Sequence, residues 1–272
     1  MFDHPKLLEV LDDTRFSPEI ECYANISQSD LPSGWVIVGD ESLLTGGKEI
    51  RPENHHVITG LSGLLEVMRV CRTINDHQGE VDVRCGAHVH IDMSGLPDKA
   101  VINVLRRYIA YERSIDLVMP PSRRNHHHAQ GLIQRLARQN GADYGDGEFK
   151  QTTTFLDRIN KCKSRSDLSR MFNGDLGCAK FWKVSVNRLN DLGTIEFRQH
   201  AGTTDPEKLA HWIVFLAMLR WTTVHFPSTK TPGKSNMDHK ARMRKLLKLV
   251  MGDWSPETSK FFLERLRFFS RH

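Results

Sequence analysis

The sequence predicts a fold of the α+β class, in which one sheet carries a polar face and helices flank it. Three short segments, 15–23, 85–92 and 194–200, alternate apolar and polar residues with the period of a β-strand. Longer segments between and after them place apolar residues at helical spacing. If the three strands share one sheet, their charged faces lie together and their apolar faces contact the helices.

The strand at 194–200 has the most informative pattern. Ile195 and Phe197 point to one side, while Glu196, Arg198 and His200 point to the other, because neighbouring side chains in a strand alternate. One such strand alone is equally typical of a solvated surface. The chain has two more strands of this kind, which favours a binding face.

The first of these, at 15–23, carries two acids. Glu19 and Glu21 share one face, and Ile20 and Cys22 share the other. Two carboxylates at this spacing repel each other, so they require water or a cation. Pro18 lacks a backbone N–H, which predicts that this strand lies at a sheet edge or begins late.

The strand at 81–92 carries imidazoles. His88, His90 and Asp92 share a face opposite Val89 and Ile91. A cluster rich in carboxylate oxygens with an imidazole suits hard divalent ions such as magnesium or manganese. An arginine beside it suits phosphate.

The remaining elements follow from apolar spacing and cap residues. Asp205-Pro206-Glu207 starts a helix well, since it offers a cap residue, a proline at the first position and an acid in the first turn. Other predicted helices end near residue 13 or lie at 62–75, 98–118, 155–162, 166–172, 237–251 and 256–271. Further strands are predicted at 34–43 and 46–52, and at 181–189 as a hairpin with the last polar strand.

Composition narrows the class of protein. The chain has 272 residues, 39% hydrophobic and 26% charged, which is typical of a globular protein with a full core. Five cysteines without paired spacing argue against a disulfide framework or a zinc knuckle. The first residues lack a signal-peptide pattern, and no apolar run reaches membrane-spanning length. We therefore expect a cytoplasmic protein without a membrane partner.

Basic residues raise the question of an anionic partner. The net charge of +5 is modest for this length and decides nothing alone. Arg123 and Arg124 lie in a segment that suits an anion-contacting loop. The helix at 237–251 offers either a solvated face or a nucleic-acid surface, formed by Lys240, Arg242, Arg244, Lys245 and Lys248.

Taken together, five motifs resemble the amidoligase family, whose relatives include glutamine synthetase and glutamate–cysteine ligase. Each motif alone is weak, but their order and spacing over about residues 16–223 are specific. In chain order they are Pro18-Glu19-Ile20-Glu21, Gly47-Lys48-Glu49-Ile50-Arg51-Pro52, Gly86-Ala87-His88-Val89-His90, Pro120-Pro121-Ser122-Arg123-Arg124-Asn125, and Thr194-Ile195-Glu196-Phe197-Arg198 followed by Gly202-Thr203.

This resemblance implies an ATP-dependent carboxylate–amine ligase that forms an amide or isopeptide bond through an acyl phosphate. It also implies a glutamine-synthetase-like fold, with a curved, mainly antiparallel sheet and helices on one side. The catalytic domain would span residues 14–226, and a basic helical extension, residues 227–272, would pack on or beside it. The substrates would be ATP, a carboxylate and an amine. The carboxylate and the amine would each belong to an amino acid, a peptide or a protein.

The resemblance also assigns roles to residues. Glu49, Glu196 and Arg198 are the catalytic candidates, with Arg198 on the transferred phosphoryl group. The chain has no glycine-rich phosphate loop of the Walker type, so metal and arginine are expected to hold the nucleotide. The candidates for nucleotide binding are His90, Arg198, Arg123, Arg124 and Lys183. The candidate ligands for magnesium or manganese are Glu19, Glu21, Glu49, His88 and Glu196, with the carboxylates expected to be clustered and hydrated without metal.

Two other functions remain open at this point. A metal-dependent amidohydrolase often begins with a His-x-His strand, as His88, His90 and Asp92 suggest, but it requires a β/α barrel with further ligands on later strands. A non-enzymatic nucleic-acid-binding protein would use the basic tail. It would leave three charged strand faces unexplained.

Overall fold

The centre of the fold is a mainly antiparallel sheet flanked by helices, which confirms the α+β class. The structure, a computed structural model, describes residues 2–124, 126–127, 129–132, 146–175, 181–227 and 238–270, with the side chains of 146–153 and 175 excepted. Within these residues seven strands run in the order β2-β3-β1-β5-β7-β6, and β4 pairs with β1. They are β1 Arg15–Tyr23, β2 Trp35–Gly39, β3 Gly47–Pro52, β4 Ile58–Thr59, β5 Gly86–Asp92, β6 Val184–Ser185 and β7 Thr194–Ala201.

Apart from one short helix that carries Arg123, the helices contribute to the hydrophobic core on one face of this sheet. The described ones are α1 Pro5–Asp13, α2 Gly60–Asp76, α3 Asp98–Asp116, α4 Pro121–Arg124, α5 Asp146–Lys161, α6 Arg165–Arg170, α7 Pro206–His225, α8 His239–Met251 and α9 Pro256–Phe269. None of the described helices is long and apolar enough to cross a membrane.

Helix α7 lies at the middle of these helices. The side chain of Asp205 accepts hydrogen bonds from the backbone N–H groups of Glu207 and Lys208, as its cap pattern predicts. The helix contacts α1, α2, α3, α8, α9 and β5, so it is buried on almost every side.

The register of the central strands aligns the polar residues on the opposite face. Glu19 pairs with His88, and His90 pairs with Glu196, all across antiparallel ladders. Ile20, Val89 and Phe197 face the helices and join the main hydrophobic core. The predicted faces of β1, β5 and the first part of β7 are therefore confirmed, as is the pairing of 181–189 with 194–200.

The prediction that Pro18 places β1 at an edge or delays its start is wrong. Strand β1 is central, between β3 and β5, and Pro18 lies opposite Val89. On the other side, β4 pairs with residues 15–16 and β3 pairs from Ile20 onward. Pro18 falls in the gap between these two partners, where a ladder N–H is not required.

The prediction that His200 shares a face with Glu196 and Arg198 is also wrong. The register between β5 and β7 shifts between the pairs Val89–Phe197 and Ala87–His200, which marks a β-bulge. The extra residue turns His200 to the helix side, where its ring lies 5.5 Å from that of Trp212. Strand alternation stops predicting the face beyond such a bulge.

The histidine strand begins five residues later than predicted. The Asp82 carboxylate accepts a hydrogen bond from the backbone N–H of Arg84, and the Asp82 carbonyl accepts one from Cys85, at 2.8 and 3.2 Å. An aspartate that bonds to the backbone two residues on stabilises a turn. Residues 81–85 therefore form the approach to β5.

The C-terminal helices share the core of the rest of the chain. Met243 and Leu246 of α8 and Phe262 and Leu266 of α9 belong to the same hydrophobic cluster as the sheet and α7. The predicted boundary at residue 227 borders residues 228–237, which lie outside the described ones. The division into two domains stays a prediction.

Glu112 of α3 predicts a pH dependence of stability. Burial raises the pKa of this carboxyl to about 7, from 4.5 for a solvated glutamate. The native protein keeps this proton to about pH 7, whereas the unfolded chain releases it near 4.5. The group therefore stabilises the fold at acidic pH, and this contribution is lost as the pH rises through that window.

We expect Glu112→Gln to remove this dependence. The free energy of unfolding of the parent, minus that of the variant, should fall by about 2–3 kcal/mol between pH 5 and pH 7.5, at about 1.4 kcal/mol per unit of pKa shift. Urea denaturation at both pH values measures it. His200 and His211, whose pKa values burial lowers to about 3 and about 4, titrate in both proteins and cancel in the difference. A difference that does not change with pH would contradict the prediction.

Candidate active site

Three adjacent strands bring a glutamate, a histidine and a second glutamate together on the face of the sheet opposite the main hydrophobic core. Nδ1 of His88 on β5 lies 3.1 Å from Oε2 of Glu19 on β1 and 3.6 Å from Oε1 of Glu196 on β7. Nε2 of the same ring lies 3.4 Å from Oε1 of Glu21. His88 is therefore the centre of the carboxylate cluster.

The second oxygen of Glu19 faces two more imidazoles. Its Oε1 lies 3.0 Å from Nε2 of His90 and 3.2 Å from Nδ1 of His55. On the far side of the His90 ring, Nδ1 lies 2.9 Å from the hydroxyl of Thr194. These contacts fix the orientation of the His90 ring, with Nε2 facing Glu19.

A second acidic group lies one strand further along. Glu21, Asp40 and Glu49 place carboxylate oxygens within 4.8 Å of one another. Glu21 also accepts a hydrogen bond from the backbone N–H of Gly86, and Glu49 accepts one from Nε of Arg51 at 2.8 Å.

Two arginines border the cluster. Arg198 donates to Glu196 through Nη1, whereas its Nε is buried and has no hydrogen-bond partner among the described residues. Arg123 on α4 donates to the backbone carbonyl of Arg198 at 2.9 Å and lies 3.5 Å from Nε2 of His88. A buried N–H without a partner requires an acceptor, so the guanidinium of Arg198 has capacity for a bound anion.

The structure does not bring Arg124 or Lys183 into this cluster. Arg124 donates to the backbone carbonyls of Asp116, Met119 and Phe269. Lys183 donates to both oxygens of Asp116 at 2.6 and 2.7 Å and to the carbonyl of Arg124 at 2.8 Å. All three donors of Lys183 are thus engaged on the helix side of the sheet.

The cluster is drier than expected. Glu19, Glu21 and Glu196 are only 6%, 4% and 7% exposed, so the prediction that the carboxylates are hydrated is wrong for these three, whereas the Glu49 side chain is 20% exposed. Imidazoles and guanidiniums replace water as their partners. Burial opposes ionisation of Glu19, but the contacts with His55, His88 and His90 outweigh it and hold its pKa well below the usual range.

The charges of the other groups follow the same balance. Burial and then the charge of Glu19 raise the pKa of Glu49 to about 7. Burial lowers the pKa of Arg123 to about 10, so it remains cationic at neutral pH. Burial opposes the charge of Arg198, but Glu196 outweighs it and raises the pKa. The site is thus a largely buried set of carboxylates bordered by two cationic arginines.

A family model, described as "Putative amidoligase enzyme", matches residues 19–220. The chain belongs to the amidoligase family. Membership supports a ligase-type enzyme that forms amide bonds, and it implies substrates to be joined. A search of curated proteins finds no significant match to the chain.

The antiparallel sheet of this amidoligase removes the basis of the amidohydrolase alternative. The ladders between its described strands are all antiparallel, whereas that alternative requires a β/α barrel. Asp92 shares the polar face with His88 and His90 but pairs with Arg15 and caps a turn through the N–H of Ser94. The three residues therefore do not form one ligand set.

Sequence reasoning missed two residues that lie in these clusters. His55 lies in the turn after β3, and Asp40 directly follows β2. Both are loop residues outside any alternating pattern. The signal that would have identified them is their position directly after strands of this sheet, because both side chains lie beside its polar face.

The residues present fit a divalent ion. Glu19, His88 and Glu196 offer three donor atoms within 4.8 Å of one another, drawn from three strands. Two adjacent ligands of an octahedral magnesium ion lie about 3 Å apart, from bond lengths of about 2.1 Å. The separations of 3.1 and 3.6 Å around His88 are close to this value.

Proposed function

We propose that this amidoligase joins a carboxylate to an amine, using ATP, through an acyl-phosphate intermediate. The observation that carries the proposal is the unpaired Nε of Arg198, held beside Glu196 at the edge of the Glu19–His88–Glu196 donor set. A guanidinium N–H without a partner, beside a cation-binding set, suits a γ-phosphoryl oxygen.

The proposed chemistry has two steps. An oxygen of the substrate carboxylate attacks the γ-phosphorus, the bond to the β-phosphate oxygen breaks, and ADP leaves. The amine nitrogen then attacks the acyl carbon, inorganic phosphate leaves, and the nitrogen loses a proton. The product is an amide or an isopeptide.

We assign the metal ligands in two sets, with magnesium or manganese as the ion. Glu19, His88 and Glu196 hold one ion, and Glu21 and Glu49 hold a second. Bound there, the ions supply charge neutralisation for the phosphate oxygens. The buried positions of the ligands exclude water, which protects an acyl phosphate from hydrolysis.

The remaining residues position and protonate. Arg198 contacts the phosphates of the nucleotide, and Arg123 holds the bulged backbone in place by donating to the carbonyl of Arg198. His90 has no assigned role at the phosphates in this scheme, because its two ring nitrogens already contact Glu19 and Thr194. Glu49 is also the candidate that accepts a proton from the amine, through the carboxylate oxygen that does not bind the ion. Arg124 and Lys183 have no assigned role in this scheme, because their donors are engaged elsewhere.

The fold supports the same proposal. An antiparallel sheet with helices on one face and the acidic cluster on the other is the arrangement expected of a glutamine-synthetase-like fold. A cytoplasmic location, where ATP is abundant, suits the reaction. No observation on the described residues favours a nucleic-acid function.

The decisive experiment is an ADP-release screen with magnesium across paired carboxylic acids and amines, followed by mass spectrometry of the product. We expect ADP release that requires both an acid and an amine, and a product lighter by one water than the sum of the two. ADP release that is independent of any amine, or its absence with amino acids, peptides and proteins alike, would count against the ligase.

A further inference from the structure

We propose that Glu19, His55 and His90 form a separate, imidazole-rich cation site that takes a borderline transition metal such as zinc. It goes beyond the proposed function, because neither His55 nor a transition metal has a part in the reaction described above. The site would share only Glu19 with the Glu19–His88–Glu196 set.

The donor atoms already have the spacing of a metal site. Oε1 of Glu19 lies 3.0 Å from Nε2 of His90 and 3.2 Å from Nδ1 of His55. Ligands of tetrahedral zinc lie about 3.3 Å apart, from bond lengths of about 2.0–2.1 Å. The third pair, Nδ1 of His55 and Nε2 of His90, lies within 4.8 Å, so the three atoms converge on one position.

His55 is held in this position at a conformational cost. Asn54 and His55 both adopt left-handed backbone conformations, with φ of 51° and 54°. This region is sparsely populated by residues other than glycine, and such strain is found mainly where the surroundings or a ligand require it. The strained turn directs the His55 imidazole at Glu19 and places its ring 5.1 Å from that of His90.

The Nδ1 atom of His55 lacks a hydrogen-bond partner among the described residues. It is buried and, although close to Glu19, makes no hydrogen bond of acceptable geometry among the described residues. A buried polar atom without a hydrogen bond calls for an explanation, of which an ion is one. The His55 side chain remains 17% exposed, so an ion can reach the site from this side.

His90 is oriented for metal binding by its second nitrogen. Nδ1 lies 2.9 Å from the buried hydroxyl of Thr194, and an N–H donated to that oxygen leaves Nε2 to bind an ion that displaces the proton between Nε2 and Glu19. Partners of this kind fix the tautomer of metal-binding histidines.

The chemistry of the two sets separates their metals. Two imidazoles and one carboxylate suit zinc, cobalt or nickel, whereas the set with two carboxylates and one imidazole suits magnesium or manganese. Because Glu19 offers one oxygen to each set, both ions can bind at once. Its carboxylate then bridges them, as in two-metal sites with ions about 3.5–4 Å apart.

The test uses the full chain after treatment with a chelator, in an excess of magnesium. Cobalt(II) is titrated by its visible absorption and zinc by calorimetry, so activity is not the readout. We expect one equivalent of either ion to bind, with a tetrahedral cobalt spectrum. His55→Asn should weaken this binding by more than about tenfold, since even loss of a second-shell partner costs about 10–100-fold. Asparagine tolerates the left-handed backbone, so the turn is retained.

The neighbouring, exposed His56 provides the matched control, and thermal unfolding without metal confirms that each variant folds. His56→Asn should bind cobalt like the parent. The proposal is overturned if the parent binds no cobalt in magnesium, if His55→Asn matches the parent, or if His56→Asn loses as much affinity. None of these outcomes depends on ADP release, so the ligase proposal and the zinc proposal fail separately.

Discussion

Replacing Glu196 with glutamine is expected to abolish ADP release while leaving the fold intact. The substitution removes one anionic ligand from the Glu19–His88–Glu196 set but keeps an oxygen that accepts from Arg198. Glu19 and Glu21 still attract the Arg198 charge. We therefore expect a loss of stability of about 1 kcal/mol, which is the net value of one hydrogen bond.

The adjacent Phe197 gives the opposite result. It points to the helix side, is 1% exposed, and packs edge-on against Tyr108 at 4.8 Å. Phe197→Ala should lower the free energy of unfolding by about 3–5 kcal/mol, as other buried phenylalanines do. In the fraction that remains folded, the residues proposed to bind metal and phosphate are unchanged.

Urea denaturation and ADP release on the same preparations separate the two effects. Glu41→Gln, an exposed glutamate in the turn after β2, is the control for charge loss and should change neither quantity. Equal destabilisation by Glu196→Gln and Phe197→Ala would mean that Glu196 is structural.

Arg198→Lys is expected to cut turnover by about two orders of magnitude with little change in stability or magnesium binding. Lysine keeps the charge beside Glu196 but loses the planar fork, whose unpaired Nε is the proposed contact with the γ-phosphoryl group. Loss of one preorganised donor typically lowers turnover by about 100–1000-fold.

ADP release at saturating ATP measures this effect. The control is Arg188→Lys, a half-exposed arginine of the preceding turn that pairs with Asp191 at 3.0 Å and should turn over like the parent. If Arg198→Lys also turns over near the parental rate, Arg198 is not the clamp. Arg123 then becomes the better candidate, because Arg124 and Lys183 are engaged on the other side of the sheet.

The sequence predicted which strand residues share the polar face because strand alternation has a fixed period. Glu19, His88 and Glu196 are each followed along the strand by an apolar residue that must be buried. Their common face therefore follows from local pattern alone. Charge alone did not distinguish Arg198 from Arg124 or Lys183. Which of them meets the cluster depends on Asp116 and on backbone carbonyls of α3 and α9 that sequence reading does not place.

The sequence by itself determined the polar and apolar faces of β1, β5 and the first part of β7, the start of α7, and the carboxylates and imidazoles that these strands bring to the cluster. These properties depend on neighbours in the chain. Only the tertiary structure decided that a bulge turns His200 toward the helices, that Pro18 lies in a gap between β3 and β4, and that a strained turn returns His55 to Glu19. Each of these outcomes depends on the partner that a distant segment presents, and local periodicity contains no information about that partner.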